Sequence, residues 1–242
     1  RADMLGGSTL LLSRMPGREH IAGACDWWRR QLDRLGVDVR TRSEATAEMI
    51  AGMKPDVLLV ATGSRYVRDG ASGFSPIPIP GWDRPFVYSP EDVLTGAADG
   101  LARILILDEE GRQAGPGVAE YLTAKGARVT IVTSYASPGP HLQSQIHYVL
   151  PRLRDAGVEL MTGTTISRIE ERRVVLSNPD IGIETAVEVD AVVMATMRRQ
   201  EDHLVNEIGD LAPYLYLVGD ALSPRSLMEA TYEGHKFARL IG

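Results

Sequence analysis

Two turns in the sequence combine small residues with groups that could bind a nucleotide. The first, Ala61–Ser64, ends the apolar run DVLLV, and the second, Gly219–Ala221, ends the run LYLV. Small residues allow backbone amides to approach a pyrophosphate or a flavin. The Asp220 carboxylate could accept hydrogen bonds from ribose or ribityl hydroxyls. A helix predicted from about Ser226 would point its N-terminal amides toward the same ligand.

A third turn has the frame of a dinucleotide site but unsuitable chemistry. The stretch LILDEEGRQAGPGVAEYL, residues 105–122, predicts a buried strand, a glycine-bearing turn and a helix. Asp108, Glu109 and Glu110 stand near where two phosphate charges would lie. Like charges a few ångströms apart cost on the order of 1–4 kcal/mol at interfacial dielectrics.

Two further departures concern the length of this turn and the strand that follows it. If Gly115 takes the place of the third glycine of the usual fingerprint, the turn is about two residues too long. The next strand ends in Thr133 and Ser134, where an NAD ribose would need an acidic residue. We therefore expect that this fold does not bind NAD(P) in the usual manner.

The elements that must position these turns alternate along the chain. Continuous apolar runs predict parallel strands that are buried on both faces, and helical spacing predicts helices between them. A helix before Gly36 is followed by a short strand at 37–41, and the glycine- and proline-rich segment 70–85 is a crossover. Ser89 caps a short helix. This alternation predicts an α/β class with doubly wound, Rossmann-type parallel sheets.

Composition limits the classes of function. The chain has 242 residues, a net charge of −6 and one cysteine, Cys25. The acidic balance argues against a nucleic-acid or anionic-membrane partner. No apolar run reaches the roughly 18 residues of a membrane span, and no signal peptide is visible, so a reducing cytoplasm is expected. The histidines are scattered, so no metal site is predicted. The RRQ and ERR runs are typical of solvated faces.

An ordered set of motifs resembles a known family. In sequence order, these motifs are LGG (5–7), PGRE (16–19), DVLLVATGS (56–64), PIPGW (78–82), SPEDVLTG (89–96), GVAEYL (117–122) and YLVGDALSPRSLMEAT..GH (216–235). Their order and spacing resemble the C-terminal nucleotide-binding region of trimethylamine dehydrogenase. Dimethylamine and histamine dehydrogenases and 2,4-dienoyl-CoA reductase share that region. Each motif alone is weak, but the set covers essentially the whole chain.

The resemblance implies two glutathione-reductase-like folds, the second inserted in the first. Residues 1–98 and 200–242 would form an FAD- or ADP-binding domain that lacks its first βαβ unit, and 99–199 a degenerate NAD(P)-binding-like domain. In that family, an old yellow enzyme-type barrel with FMN and a 4Fe–4S segment precede this region. We therefore expect a piece of a longer polypeptide, with no catalytic or metal-binding residue in this chain.

The same resemblance implies the site residues and the whole-enzyme reaction. Asp220 would hold the ribityl chain or ribose, and LGG would lie near the adenosine or pyrophosphate half. Separately, Glu44–Thr46, which follow the strand predicted at 37–41, could give adenine a backbone contact. The predicted cofactor-binding residues are Leu5, Gly6, Gly7, Ala45, Ala61, Thr62, Gly63, Ser64, Gly219, Asp220, Ala221, Glu229 and Ala230. The reaction would be oxidative N-demethylation of a small methylated amine by a homo-oligomer, with electrons passed to an electron-transfer flavoprotein.

Two alternatives stay open. In the first, the region belongs to a 2,4-dienoyl-CoA-reductase-like enzyme that binds FAD and takes hydride from NADPH. In the second, it is a non-catalytic flavoprotein-like module used for assembly. The acidic turn argues against the reductase, whereas the choice between ADP and FAD is not set by the sequence.

Overall fold

The computed structural model describes residues 3–209 and 211–241. Its strands are β1 (Val57–Val60), β2 (Ser64–Tyr66), β3 (Val87–Tyr88), β4 (Arg103–Asp108), β5 (Arg128–Val132), β6 (Glu159–Met161), β7 (Thr165–Ile169), β8 (Arg173–Asn178), β9 (Ile183–Glu188), β10 (Ala191–Ala195), β11 (Arg198–Gln200) and β12 (Tyr214–Leu217). Its α-helices are α1 (Ser8–Leu12), α2 (Ala22–Arg34), α3 (Ala47–Met53), α4 (Pro90–Leu94), α5 (Ala114–Ala124), α6 (Ile146–Asp155), α7 (His203–Ile208) and α8 (Leu227–Ile241).

The chain divides into two compact units. Unit 1 contains the residues up to Thr9, Cys25–Arg65 and the residues from Arg198, and unit 2 contains Leu10–Ala24 and Tyr66–Met197. The predicted division put residues 10–24 and 66–98 with the first domain, whereas the structure places them in unit 2. Residues 1, 2, 210 and 242 of the predicted domains lie outside the described residues.

Unit 2 is built on a parallel sheet with the strand order β3-β10-β4-β5-β6. Strands β4 and β10 are buried almost throughout, as expected of parallel strands that are covered on both faces. One apolar cluster joins one set of sheet residues to α4, α5 and α6. A second joins the opposite set to the antiparallel meander β7-β8-β9.

Two contacts explain why the segments 10–24 and 66–98 belong to unit 2. Strand β3 pairs with β10, which extends the sheet by one parallel strand. Met15 is buried in the same apolar cluster as α5, and a Cβ on Gly117 would lie 2.3 Å from its Sδ atom. The helix α4 follows, and its predicted Ser89 cap is confirmed by reciprocal hydrogen bonds between Ser89 and Asp92.

Unit 1 contains the parallel pair β1 and β12, in the register Val60↔Leu217. A smaller cluster around Ile50, Val60, Leu204 and Ile208 packs beneath this pair. The short strand predicted at 37–41 is absent from the described residues, and Val37 and Val39 are exposed. The α/β class and the parallel sheet are therefore confirmed, while the insertion of one complete fold into another stays a prediction.

A buried carboxylate ties the segment Leu10–Ala24 to the parallel-sheet part of unit 2. Glu120 of α5 is buried and accepts a hydrogen bond from Arg152 Nε at 2.5 Å. Arg18 Nη1 lies 3.5 Å from the same carboxylate, and Arg18 also donates to Gln113. Burial lowers the pKa of Arg18, while the charge of Glu120 acts in the opposite direction.

Replacement of Glu120 by Ala should therefore lower the free energy of unfolding by about 3 kcal/mol, because it leaves the half-buried Arg18 without its counter-charge. Urea denaturation monitored by circular dichroism measures this change. Glu171→Ala, at an exposed position in the same unit, is the matched control and should stay within about 0.5 kcal/mol of the parent. Equal stability of the two variants would contradict the role given to Glu120.

Candidate functional site

The carboxyl ends of β1 and β12 bring two predicted segments together in unit 1. Ala61–Ser64 follow β1 and Gly219–Ala221 follow β12, and these strands run parallel. Ligands of open parallel sheets bind at the carboxyl ends of the strands. Ala61 and Thr62 are exposed, and Gly63 has a φ of +85°, a backbone conformation that favours glycine.

Asp220 is the centre of this site. Its Oδ2 atom accepts hydrogen bonds from Ser64 Oγ at 2.8 Å and from Arg198 Nη1 at 2.5 Å. Its Oδ1 atom accepts from the backbone N–H of Arg225 at 3.0 Å. The carboxylate is thus fixed by three elements, and a carboxylate has room for about one more hydrogen bond. The structure therefore leaves Asp220 able to accept a ligand hydroxyl.

The backbone conformation of Gly219 and its packing within the protein favour glycine at this position. Its φ is +62°, and a Cβ there would lie 3.3 Å from the Cβ of Ala230 in α8. Its N–H donates to the buried Glu233 at 2.7 Å, and Glu233 also pairs with Arg225. Close packing of the turn against α8 thus accounts for Gly219 without a ligand.

The other predicted residues of unit 1 occupy three places. Leu5 lines a cavity of about 350 Å³, whose other walls include Asp3, Asp26, Asp33, Val39 and Thr41. Gly6 and Gly7 both have positive φ values, as a turn before α1 requires. Glu229 accepts hydrogen bonds from the N–H and hydroxyl of Ser226 and so caps the start of α8. Ala45 is exposed and immediately precedes Thr46, the N-cap of α3.

Three residues of this site, Arg198, Arg225 and Glu233, are not predicted from the sequence. The interpretation of RRQ as a solvated face is wrong at 198–200, because the side chain of Arg198 is only 16% exposed and forms an ion pair with Asp220. The signal in the sequence is the alternation of side chains along a strand: successive residues point to opposite faces, so only one of two consecutive arginines can face solvent. In β11 the exposed one is Arg199.

The acidic turn of unit 2 has a different chemistry. The Asp108 carboxylate is fully buried and accepts the N–H groups of Gly111 and Gly139, at 3.2 and 2.9 Å. A Cβ on Gly115 would lie 2.6 Å from Asp108 Cγ. The amides and the glycine that a pyrophosphate would use are therefore occupied by a carboxylate of the chain itself.

Glu109 is satisfied in the same way by hydroxyl groups of the chain. Its Oε1 atom accepts from Ser134 Oγ at 2.6 Å and from Thr165 Oγ1 at 2.8 Å. Its other oxygen accepts from Ser72, which is buried and belongs to the glycine- and proline-rich segment. Phe74 of that segment packs edge-on against Tyr135. This segment thus lies over the carboxyl ends of β4 and β5, where a nucleotide would enter.

These two units define the class of the protein: an α/β fold similar to nucleotide-binding folds. The end of one parallel strand pair carries exposed small residues, and the end of the other is filled by the chain's own side chains. No protein-family model matches the sequence. Among the described helices, none has the length and hydropathy of a membrane span.

Comparison with known proteins places the chain among particular relatives. It is 38% identical over 142 residues to N,N-dimethylglycine/sarcosine dehydrogenase of Chromohalobacter salexigens, covering 57% of this chain and 20% of that protein. It is 28% identical over 232 residues to dimethylamine dehydrogenase of Hyphomicrobium sp., covering 81% of this chain and 31% of that protein.

Solved structures agree with these relatives. The 6-hydroxypseudooxynicotine amine oxidase of Pseudomonas geniculata has a TM-score of 0.91 and 30% identity, over 97% of this chain and 36% of that one. 2-Naphthoyl-CoA reductase has a TM-score of 0.88 and 27% identity, over 97% of this chain and 34% of that one. The chain spans well under half the length of each protein. The predicted resemblance is confirmed: the chain matches the C-terminal region of larger oxidoreductases that include amine dehydrogenases and reductases.

The buried Asp108 carboxylate should make stability depend on pH. Burial raises the pKa of Asp108 to about 7, the amides of Gly139 and Gly111 oppose this rise, and Glu110 and Glu109 add to it. The unfolded value is about 3.9. The pKa of Asp108 is therefore higher in the folded state than in the unfolded state, so folding favours the protonated carboxyl. The stability that this contributes is complete below about pH 4 and is lost as pH rises through about 7.

Comparison of the parent with Asp108→Asn should reveal this contribution. The unfolding free energy of the parent relative to the variant should fall between pH 5 and 7 with a slope of at most about 1.4 kcal/mol per pH unit. Urea denaturation at several pH values measures it, and the exposed Asp180→Asn serves as the matched control. Parallel curves for parent and Asp108→Asn would contradict the assignment.

Proposed function

We propose that this chain is the ADP- or FAD-binding region of an FMN- and 4Fe–4S-containing oxidoreductase that demethylates a small methylated amine. One observation carries the proposal: the carboxyl ends of β1 and β12 hold Ser64 and Asp220 in hydrogen-bond contact beside exposed small residues. In unit 2, by contrast, the equivalent end of β4 is occupied by Asp108 and its amide donors.

The residues of unit 1 fit a nucleotide. Asp220 can accept one further hydroxyl from a ribose or ribityl chain, and the exposed Ala61 and Thr62 precede a glycine turn suited to a nearby phosphate. The cavity beside Leu5 is lined by the carboxylates of Asp3, Asp26 and Asp33, which can also accept hydrogen bonds from ligand hydroxyl groups. When bound, FAD would add a second redox flavin, whereas ADP would serve only as a structural ligand.

The whole-enzyme reaction is proposed from the relatives. Dehydrogenases named for dimethylglycine, sarcosine and dimethylamine support a methylated amine as substrate. The chain has one cysteine, so a four-cysteine cluster requires other residues of the larger polypeptide. We propose an electron-transfer flavoprotein as the electron acceptor, and a cytoplasmic homo-oligomer as the functional form.

A second candidate is an NADPH-dependent reductase of the dienoyl-CoA type. The likeness to 2-naphthoyl-CoA reductase favours it. The filled acidic turn remains the argument against it.

Nucleotide analysis of the full-length polypeptide separates the two candidates. Denaturation should release FMN together with ADP or FAD, and chromatography with mass detection identifies them. Neither NADH nor NADPH should bleach the flavin, because Asp108 and Ser72 fill the place of a nicotinamide nucleotide, whereas dimethylamine or sarcosine should bleach it. Rapid bleaching by NADPH, with no response to methylated amines, would support the reductase instead.

A further inference from the structure

We propose that Arg198 makes the site at the carboxyl ends of β1 and β12 selective for an anionic diphosphate ligand over a neutral nucleoside. This inference rests on the proposed function, which places ADP or FAD at this site. The guanidinium group neutralises Asp220, so that a negatively charged ligand can lie beside a carboxylate.

The geometry puts the positive charge of Arg198 inside the site. Its Nη1 atom donates to Asp220 at 2.5 Å, and the two side chains are only 16% and 19% exposed. Its Nη2 atom donates to the carbonyl of Arg225 at 2.5 Å. One fork therefore holds both the carboxylate and the loop that follows it, which suits the planar guanidinium group better than a lysine.

The surrounding charges explain why neutralisation matters. Besides Asp220, the carboxylates of Glu229 and Glu233 lie on the adjoining α8, and Glu233 is paired with Arg225. Without Arg198, the partners that Asp220 would keep among the described residues are the hydroxyl of Ser64 and one backbone N–H. An added diphosphate would then face uncompensated negative charge, and like charges at a few ångströms repel strongly where water is partly excluded.

A hydroxyl-binding role for Asp220 alone would not need an arginine. Ser64 and the Arg225 amide already orient the carboxylate toward a ligand hydroxyl. Arg198 adds charge, which affects phosphate and leaves a neutral ribose almost unaffected. The inference therefore predicts a difference between two ligands that share one adenosine group.

Isothermal titration calorimetry measures the affinities of the full-length, nucleotide-stripped polypeptide for ADP and for adenosine, and so tests this difference. Arg198→Gln should weaken ADP binding about tenfold or more, because the unneutralised Asp220 carboxylate would repel the diphosphate, and change adenosine binding less than about twofold. Raising the salt concentration should weaken ADP binding less in this variant than in the parent. Arg199→Gln, the same change at the exposed neighbouring position on β11, should leave both affinities unchanged.

Arg198→Lys separates charge from folding, because it keeps the charge while losing the fork. It should keep ADP affinity within about threefold of the parent, because a positive charge still lies opposite the Asp220 carboxylate. An equal loss of ADP and adenosine binding in Arg198→Gln would mean that Arg198 only holds the loop, and would overturn the inference. Unchanged ADP binding would overturn it too. If the parent itself binds neither ADP nor FAD, the proposed function fails, and this inference fails with it.

Discussion

Unit 2 depends on one interaction: the buried carboxylate of Asp108 accepts hydrogen bonds from two backbone N–H groups. Gly111 and Gly139 belong to different turns, and both donate to this one side chain. Thr133, directly after β5, donates to the Asp108 carbonyl, so the ends of β4 and β5 and the turn before α5 are joined at one residue. A buried carboxylate needs such donors, because a charge without partners is costly in a protein interior.

The two units use their carboxylates in different ways. In unit 1, Asp220 and Glu233 are each paired with an arginine that balances their charge. In unit 2, Asp108 and Glu109 are held by amides and hydroxyls of the chain. These partners occupy the donors that a phosphate would need, without supplying a compensating charge. The same strand-end geometry thus ends in exposed small residues in unit 1 and in a closed turn in unit 2.

Sequence reasoning succeeded where a property depends on the local chain. Apolar runs predicted the parallel strands. The pairing of β1 with β12, which brings Ser64 to Asp220 across 156 positions, does not follow from the pattern, and a shared site was expected only from the family resemblance. The acidic turn was also recognised as unsuited to phosphate. Its partners could not be predicted, because Gly139 and Ser72 lie 31 and 37 positions from Asp108 and Glu109.

Other features escaped prediction because packing decides them. The boundaries of the units depend on the pairing of β3 with β10 and on the burial of Met15, and both are long-range contacts. Two consecutive arginines suggest a solvated face, yet a strand turns one of them inward, so Arg198 was missed. The positive φ of Gly219 and its close packing against Ala230 favour glycine at this turn, in addition to the ligand contact predicted for it.

Hydrogen–deuterium exchange of the full-length polypeptide tests most directly the claim that one strand end binds a nucleotide while the other is closed. ADP should slow exchange in the segments 61–64 and 219–226, and NADPH should leave exchange unchanged at Gly111 and Gly139, whose amides Asp108 already protects. Slower exchange at 108–115 on addition of NADPH, with no effect of ADP at 61–64, would contradict the account.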